Sequence, residues 1–298
     1  MRRARPMLGT IVELRAEGAD GAIAANAIVA AFDAIARVER CMSFHDSASD
    51  VSRLNRQAHL RPVVVDPWTL EVLRLAQRVS EASAGAFDVT IAPVLLRWGL
   101  LPGGLLPQGL LPQGVRPRDR LPTRRLAQTS TRAQGSFHDI RISADGSVVF
   151  TRRLAIDLGG IAKGFAVDRA AQVLVEHGIT DYVVNAGGDL RVGMRPEPIH
   201  VRHPIFPDRC LSLGTLVDSA VATSARYSSR VRVRGREVHP IVVPATGNPA
   251  PYRHSVSILA PTCVIADALT KVAAILGVRS AAILDRFQAR AIVIRPSC

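Results

Sequence analysis

Residues 156–194 constrain the fold of this chain more than any other part of its sequence. They read IDLGGIAKGFAVDRAAQVLVEHGITDYVVNAGGDLRVGM. Gly159 and Gly160 permit a close backbone approach or a positive φ, and a helix is predicted to begin just after them, beside Lys163. A helix N-terminus next to glycines and a lysine favours an anion. The stretch predicts a phosphate-binding helix start, although two ordinary strand–helix turns would give the same pattern.

Short strands separated by turns dominate the chain after about residue 135. Strands are predicted over residues 147–151, 182–185, 212–222, 230–238, 255–260 and 291–294, and helices over residues 162–177 and 264–276. The strand at 182–185 leads into a second glycine turn, Gly187-Gly188-Asp189. Hairpin-like spacing interrupted by helices is typical of an α+β fold, here a largely antiparallel or mixed β-sheet with packed helices.

The N-terminal part adds one strand and two helices to this prediction. The strand covers residues 10–15, and apolar residues at helical spacing from Ile28 to Met42 indicate an amphipathic helix. Asp66-Pro67 is a good start for the next helix, which Gly85 ends. A chain of 298 residues is long enough for a single domain covering residues 1–298.

Residues 100–114 carry a five-residue repeat, LLPGG-LLPQG-LLPQG. Proline at every fifth position is incompatible with a helix and disfavours a central strand. We expect a surface loop expanded by duplication, and a tolerated insertion without function is the favoured interpretation.

Composition excludes several classes of protein. Apolar residues make up 48% of the chain and charged residues 21%, so the chain can bury a core. The net charge of +13 suits an anionic partner, but the basic residues are scattered and no nucleic-acid-binding motif is present. The four cysteines have no metal-type spacing. The most apolar run, residues 22–32, is interrupted by Asn26 and is shorter than the ~20 residues of a membrane span.

We therefore expect no nucleic-acid ligand and no transmembrane span. The N-terminus lacks the apolar core of a signal peptide, which favours a cytoplasmic location for the chain as given.

Eight short elements along the chain carry a resemblance to a known family. Read in order, they are Met7-Leu8-Gly9-Thr10; Met42-Ser43-Phe44 with Ser49, Leu54 and Asn55; Gly85-Ala86-Phe87-Asp88-Val89-Thr90 with Pro93 and Trp98-Gly99; Asp157-Leu158-Gly159-Gly160-Ile161-Ala162-Lys163-Gly164; Asn185-Ala186-Gly187-Gly188-Asp189; Thr223-Ser224-Ala225; Pro244-Ala245-Thr246-Gly247; and Ala266-Asp267-Ala268-Leu269. Together they resemble the FAD:protein FMN transferase family, the ApbE-type flavin transferases.

The resemblance implies that the chain has the ApbE-like fold, binds FAD and Mg²⁺, and transfers FMN from FAD to a threonine of an acceptor flavoprotein with release of AMP. It implies FAD contacts for Met42, Phe87, Asp88, Thr90, Lys163, Asp168 and Thr223. It implies metal contacts for the Gly160 carbonyl and the Asp267 carboxylate, and it makes His239 the candidate base. Thr270, three residues after Asp267 on nearly the same helix face, is the candidate substitute for the family's metal-ligating threonine.

Two positions depart from the family pattern. Where the family has a metal-ligating threonine four residues after its aspartate, this chain has Lys271, which shares a helix face with Asp267. Such a lysine can act as a built-in cation, repel Mg²⁺ or turn to solvent, and weaker Mg²⁺ binding is the expectation. The family aspartate before a proline is Val243 here, and His239 lies one residue further from Pro244 than in the family.

These departures leave two alternatives beside FMN transfer. The first is a family member that binds FAD as a store or accessory protein without transferring FMN. The second is an FAD pyrophosphatase, in which water takes the place of the threonine.

Overall fold

The structure is a computed structural model that describes residues 1–102, 135–206, 208–225, 231–233, 236–252 and 254–295. From residue 103 onward, the predicted loop at 100–114 lies outside the described residues.

Helices and strands are interspersed along the described part of the chain. The helices are α1 (Gly21–Met42), α2 (Asp50–Gln57), α3 (Pro67–Ala82), α4 (Ala92–Arg97), α5 (Ala162–Glu176), α6 (Cys263–Leu276) and α7 (Ala281–Arg286). The strands are β1 (Arg2–Met7), β2 (Thr10–Glu17), β3 (Val63–Val64), β4 (Ile140–Ile142), β5 (Ser147–Phe150), β6 (Asp181–Ala186), β7 (Asp189–Val192), β8 (Glu197–Arg202), β9 (Cys210–Leu216), β10 (Ser219–Ala225), β11 (Val231–Val233), β12 (Arg236–Val238), β13 (Val242–Val243), β14 (Asn248–Pro249), β15 (Ser255–Ala260) and β16 (Arg290–Ile294).

The chain divides into two compact units, each assembled from segments that are distant in sequence. Unit 1 comprises Met1–Glu39, Gly160–Ser228 and Tyr252–Cys298. Unit 2 comprises Arg40–Gly159 and Ser229–Pro251.

Unit 1 is built on an antiparallel sheet. Among the described residues, seven strands pair in the order β1-β2-β6-β7-β10-β15-β16, and every neighbouring pair is antiparallel. Helices α5 and α6 contact each other, with α5 also contacting β6 and β7, and α6 contacting β10 and β15. The paired strands β8 and β9 add Ile199 and Leu216 to an apolar cluster with Val183, Val192 and Val221. This architecture confirms the predicted α+β class with a largely antiparallel sheet.

The turn between β6 and β7 requires glycine at both of its positions. Gly187 and Gly188 have φ values of +62° and +104°, in the region that disfavours residues with a Cβ. A Cβ on Gly187 would also lie 2.4 Å from Oγ1 of Thr10. Asn185 accepts a hydrogen bond from the Gly188 N–H at 3.0 Å. The turn makes Asp189 the first residue of β7.

Helices α5 and α6 approach each other closely at Gly164. A Cβ at this position would lie 2.4 Å from the backbone oxygen of Cys263 and 2.8 Å from Cβ of Asp267. The glycine therefore sets the distance between the two helices, which is why the Ala-Lys-Gly start of α5 tolerates no larger residue at its third position.

Unit 2 holds α2, α3 and a three-stranded sheet in the order β3-β5-β4 among the described residues. Asp66 caps α3 by accepting the Trp68 N–H at 2.8 Å, as the sequence predicts. The Asn55 side chain bonds both backbone groups of Ile156, donating to its oxygen at 3.0 Å and accepting from its N–H at 2.8 Å. That pair of bonds fixes the extended segment leading to Asp157.

Two predicted strands are wrong as single elements. Residues 212–222 belong to β9 and β10, which pair in different sheets. Asp218, between them, has a φ of +38° and turns the chain without a glycine or proline to signal it. Residues 230–238 contain β11 and β12, which pair with each other as antiparallel strands.

The sequence also misleads at the first glycine pair and at β1. Among the described residues, positive φ values occur at neither Gly159 nor Gly160. Instead, the Gly159 N–H donates to the carboxylate of Asp157 at 3.2 Å, and a Cβ on Gly159 would lie 3.1 Å from that oxygen. Strand β1 was not predicted because its residues, RRARPM, are almost all exposed and show no apolar alternation.

Helix α1 is the element that bears on the expectation of no membrane span. By length and composition alone it could cross a membrane, and it is the only such helix in the part of the chain that the structure describes. Ala27, Ile28 and Phe32 on one of its faces are buried against the protein. Core helices of globular proteins have the same composition, so the length of α1 is weak support for a span.

We expect Gly164→Ala to destabilise the protein by about 1–3 kcal/mol, because the added Cβ overlaps backbone that cannot move without separating α5 from α6. Gly21→Ala is the matched control, since a Cβ at Gly21 meets no heavy atom within 4 Å. The measurement is the free energy of unfolding in urea. Equal values for the two variants would show that the helices can separate at little cost.

Candidate functional site

Four charged side chains of unit 1 lie together near the start of α5, the start of β7 and one face of α6. Lys163 is in the first turn of α5, Asp189 is the first residue of β7, and Asp267 and Lys271 lie one turn apart on α6. We refer to Lys163, Asp189, Asp267 and Lys271 as the charge cluster.

The first ion pair of the charge cluster joins Lys163 to Asp189. Nζ lies 3.0 Å from Oδ2, a distance suited to an ion pair, although the atoms are not aligned for a hydrogen bond. Only 3% of the Asp189 side chain is exposed. Burial, with repulsion from Asp267, raises the pKa of Asp189 to about 6 against the attraction of the two lysines.

The ammonium group of Lys163 stays protonated. Burial lowers its pKa, but attraction to the carboxylates of Asp189 and Asp267 outweighs that effect and the pKa lies above the ordinary value. The ammonium is therefore fully protonated at neutral pH.

The second ion pair of the charge cluster joins Lys271 to Asp267. Nζ of Lys271 contacts Oδ1 of Asp267 and also donates to the backbone oxygen of Asp267 at 3.0 Å. Oδ2 of Asp267 accepts the Gly164 N–H at 3.0 Å. Asp267 thus spans from its own helix to the start of α5, next to Lys163.

The Thr270 hydroxyl, predicted to bind metal, is engaged within the protein. It donates to the backbone oxygen of Asp267 at 2.7 Å and accepts from the Ser224 hydroxyl at 2.8 Å. The neighbouring predicted FAD contact, Thr223, shares a hydrogen bond of 2.8 Å with Ser257. Gly160, the third predicted metal contact, lies in the turn before α5.

Asp168, another predicted FAD contact, caps α6. Its two carboxylate oxygens accept the N–H groups of Cys263 and Val264, each at 2.8 Å. Burial raises the pKa of Asp168 to about 6, although the two N–H groups oppose the shift. Burial, followed by repulsion from the surrounding carboxylates, likewise raises the pKa of the Cys263 thiol well above its ordinary value.

The predicted FAD contacts of unit 2 are buried residues with local partners. Asp88 accepts the N–H groups of Thr90 at 2.8 Å and Phe137 at 3.1 Å. Burial raises the pKa of Asp88 against these bonds. Phe87 and Met42 are buried.

His239, the candidate base, is a buried residue of unit 2 between β12 and β13. Its Nε2 lies 3.0 Å from the backbone oxygen of Ala250. Because a carbonyl oxygen can only accept, Nε2 carries the hydrogen, and Nδ1 is the nitrogen of the neutral ring that can take a proton.

Sequence reasoning singled out Lys163, Asp267 and Lys271 but gave no role to Asp189. It treated Asp189 only as the end of a glycine turn. The sequence signals only that Asp189 follows a two-glycine hairpin and so begins a strand; it does not signal that this strand start lies beside the N-terminus of α5. No group of three or more His, Cys, Asp and Glu side chains in the described ranges is arranged to hold a metal ion.

We expect the free energy of unfolding of the wild type to fall more steeply between about pH 4 and pH 6 than that of Asp168→Asn. A carboxyl whose folded pKa is raised to about 6 contributes stability below its unfolded pKa and loses it as pH rises through 6. The difference should be on the order of 2 kcal/mol across this interval. Identical slopes would mean that the two N–H groups keep Asp168 ionised.

Comparison with known proteins identifies relatives over almost the whole chain. The model of the ApbE family matches residues 8–293. The FAD:protein FMN transferase of Vibrio cholerae is 30% identical over 239 residues, which cover 76% of this chain and 66% of the relative. That of Treponema pallidum is 28% identical over 305 residues, covering 96% of this chain and 81% of the relative. The chain spans about two thirds of the length of the relatives from Vibrio cholerae and Klebsiella pneumoniae, at 66% and 65%.

Solved structures show the same fold. The ApbE protein from Thermotoga maritima has a TM-score of 0.79 and 26% identity, covering 98% of this chain and 93% of that chain. The flavin transferase ApbE from Vibrio cholerae has a TM-score of 0.78 and 26% identity, covering 98% of this chain and 92% of that chain.

Proposed function

Because this chain belongs to the ApbE family, we propose that it is an FAD:protein FMN transferase acting on an acceptor flavoprotein. The observation that carries the proposal is the position of the charge cluster. Lys163 and Asp189 belong to two of the motifs by which the sequence resembles the family, and Asp267 belongs to a third. Three separate motifs thus contribute charges to one place in unit 1.

The proposed reaction is a phosphoryl-type transfer. A threonine hydroxyl oxygen of the acceptor forms a bond to the phosphorus of the FMN half of FAD. The bond from that phosphorus to the oxygen bridging to AMP breaks, AMP leaves with that oxygen, and the hydroxyl proton passes to a base. The requirements on the protein are alignment of the diphosphate and stabilisation of its negative charge.

Lys163 is the residue proposed to meet the diphosphate. Its side chain is 32% exposed, whereas that of Asp189 is 3% exposed, so Lys163 is the more accessible member of the pair. The first turn of α5 adds the positive end of a helix dipole. Met42, Phe87, Asp88, Thr90 and Thr223 remain proposed FAD contacts, and Asp168 is proposed to support the site by fixing the start of α6.

His239 is the proposed base for the threonine proton. Since its Nε2 hydrogen is donated to Ala250, the proton would go to Nδ1. Val243, at the position of the family aspartate, supplies no carboxylate to help it.

Mg²⁺, the second implied cofactor, does not fit the donors that the resemblance assigns to it. The carboxylate of Asp267 already holds the Lys271 ammonium on one oxygen and the Gly164 N–H on the other. The Thr270 hydroxyl donates its hydrogen to a backbone oxygen. A hard divalent cation needs several free oxygen ligands, and these donors do not offer them.

The test of function is to incubate the protein with FAD and a candidate acceptor flavoprotein. Transfer predicts FMN added to the acceptor, by intact mass, together with an equal amount of AMP. An acceptor with its threonine replaced by alanine is the control. AMP with free FMN would identify a pyrophosphatase, and bound FAD with neither product would identify a flavin-binding protein without transfer activity.

We expect Lys163→Ala to weaken FAD binding by about 10- to 100-fold, the loss of one charge-assisted hydrogen bond to phosphate. Riboflavin, which has no phosphate, should bind both proteins alike. The measurement is a flavin fluorescence titration, with melting temperature recorded because the change leaves buried Asp189 without its partner.

Arg195→Ala is the matched control for Lys163→Ala. Arg195 also forms an ion pair, with Glu17. In the antiparallel register of β2 and β6, Glu17 lies opposite Asp181, at the other end of β6 from the Gly187-Gly188 turn. If the Lys163→Ala variant folds and binds FAD with unchanged affinity, Lys163 is not part of the FAD site.

A further inference from the structure

The charge cluster contains every lysine of this chain. Of the 38 lysine and arginine residues, only Lys163 and Lys271 are lysines, and all the others are arginines. Each of the two lysines is paired with a carboxylate that is almost completely buried. All basic side chains outside the charge cluster, histidines apart, are therefore arginines, and lysine occurs only in the charge cluster.

The chemistry of the two side chains explains what an ammonium offers there. A guanidinium is a flat fork that spreads its charge, whereas an ammonium is a compact point charge with three donors. An ammonium group beside a carboxylate therefore supplies the compact positive charge that a bound cation would otherwise supply.

In each ion pair of the charge cluster, the lysine side chain is more exposed than its carboxylate partner. The side chains of Asp189 and Asp267 are 3% and 2% exposed, and those of Lys163 and Lys271 are 32% and 21% exposed. A phosphate that reaches the charge cluster therefore has access to the lysine side chains rather than to the buried carboxylates, which hold the ammonium groups in place.

Lys271 occupies the coordinating position of Asp267. Its ammonium is held by both Oδ1 and the backbone oxygen of Asp267, and Gly164 holds Oδ2. A divalent cation could bind Asp267 only by displacing an ammonium that is already charge-matched to it. The two ion pairs also act on each other, because Asp189 is attracted by both Lys163 and Lys271 and repelled by Asp267.

We propose that Lys271 is a built-in replacement for the divalent cation, and that Lys163 and Lys271 together bind the diphosphate of the flavin dinucleotide without a metal ion. This inference rests on the proposed function, since it takes FAD as the ligand. It gives Lys271 a positive role, in contrast to the expectation that it only weakens Mg²⁺ binding.

The first experiment is FAD titration of the wild type in EDTA and then in excess Mg²⁺, followed by flavin fluorescence. The inference predicts binding in EDTA and a change of less than about twofold on adding Mg²⁺. Binding that Mg²⁺ tightens by about tenfold or more would overturn it. Riboflavin serves as the ligand without phosphate, and its affinity should be the same in both conditions.

The second experiment tests Lys271 directly with Lys271→Met, which keeps an unbranched side chain only one atom shorter and removes its charge. FAD affinity in EDTA should fall by about 10- to 100-fold while riboflavin affinity is unchanged. FAD affinity equal to that of the wild type would overturn the inference.

A paired variant guards against the loss of folding that an unpaired buried carboxylate can cause. Lys271→Met with Asp267→Asn removes both charges, and it should show the same loss of FAD affinity in EDTA. Arg195→Met is the control for removing a basic residue elsewhere in unit 1, and it should bind FAD as the wild type does.

Lys271→Thr asks whether the lysine and a metal ion are interchangeable. Removing the ammonium frees Oδ1 of Asp267, so this variant should lose FAD affinity in EDTA and regain it with Mg²⁺. A variant that binds FAD in EDTA as well as the wild type does would contradict the proposed role of Lys271.

FMN transfer measured in parallel separates this inference from the proposed function. Transfer to the acceptor in EDTA supports both, and transfer that requires Mg²⁺ overturns the inference while keeping the function. Absence of transfer in every condition overturns the function, and the FAD titrations then still decide the inference.

Discussion

The buried carboxylate of Asp267 is the interaction on which the rest of unit 1 depends. One oxygen accepts the Gly164 N–H at the start of α5, and the other holds Lys271 one turn along α6. Because Gly164 has no side chain, α5 comes close enough for that bond to form. Removing one partner of a buried ion pair typically costs about 3–5 kcal/mol, so helix packing and charge placement are inseparable here.

A second carboxylate repeats the arrangement from the sheet side. The Gly187-Gly188 turn starts β7 at Asp189, whose buried side chain faces the ammonium of Lys163. Asp168 completes the support by capping α6 with both oxygens. Two carboxylates from two elements therefore hold the two lysines, while the third fixes the start of α6, and each lysine is the more exposed member of its pair. A rigid pair of ammonium groups suits a diphosphate, because little ordering remains to be done when the ligand binds.

Much of this could be predicted from the sequence, because the signals are local. Helix starts are marked by Asp66-Pro67 and by the glycines before α5, and the spacing of Asp267 and Lys271 places them on one helix face. The i, i+4 contact between them is present as expected. Asp189 was missed because its partner Lys163 lies on another element, and pairing across elements leaves no periodic trace.

The single strand predicted over residues 212–222 fails for a local reason. The turn at Asp218 depends on a positive φ at a residue other than glycine, and no glycine or proline marks it, so residues 212–222 have the pattern of one strand. Asp168 as an FAD contact stays a prediction from its motif. Its hydrogen bonds to Cys263 and Val264 could not be predicted from the sequence, because they join residues far apart in the chain.

The most direct test of the central claim is a crystal structure of the FAD complex grown with Mn²⁺, whose anomalous scattering reveals bound metal. The account predicts diphosphate oxygens within hydrogen-bonding distance of Nζ of Lys163 and Lys271, with Lys271 still on Asp267 and no anomalous peak beside it. A peak bonded to Asp267, with the Lys271 ammonium displaced, would contradict the account.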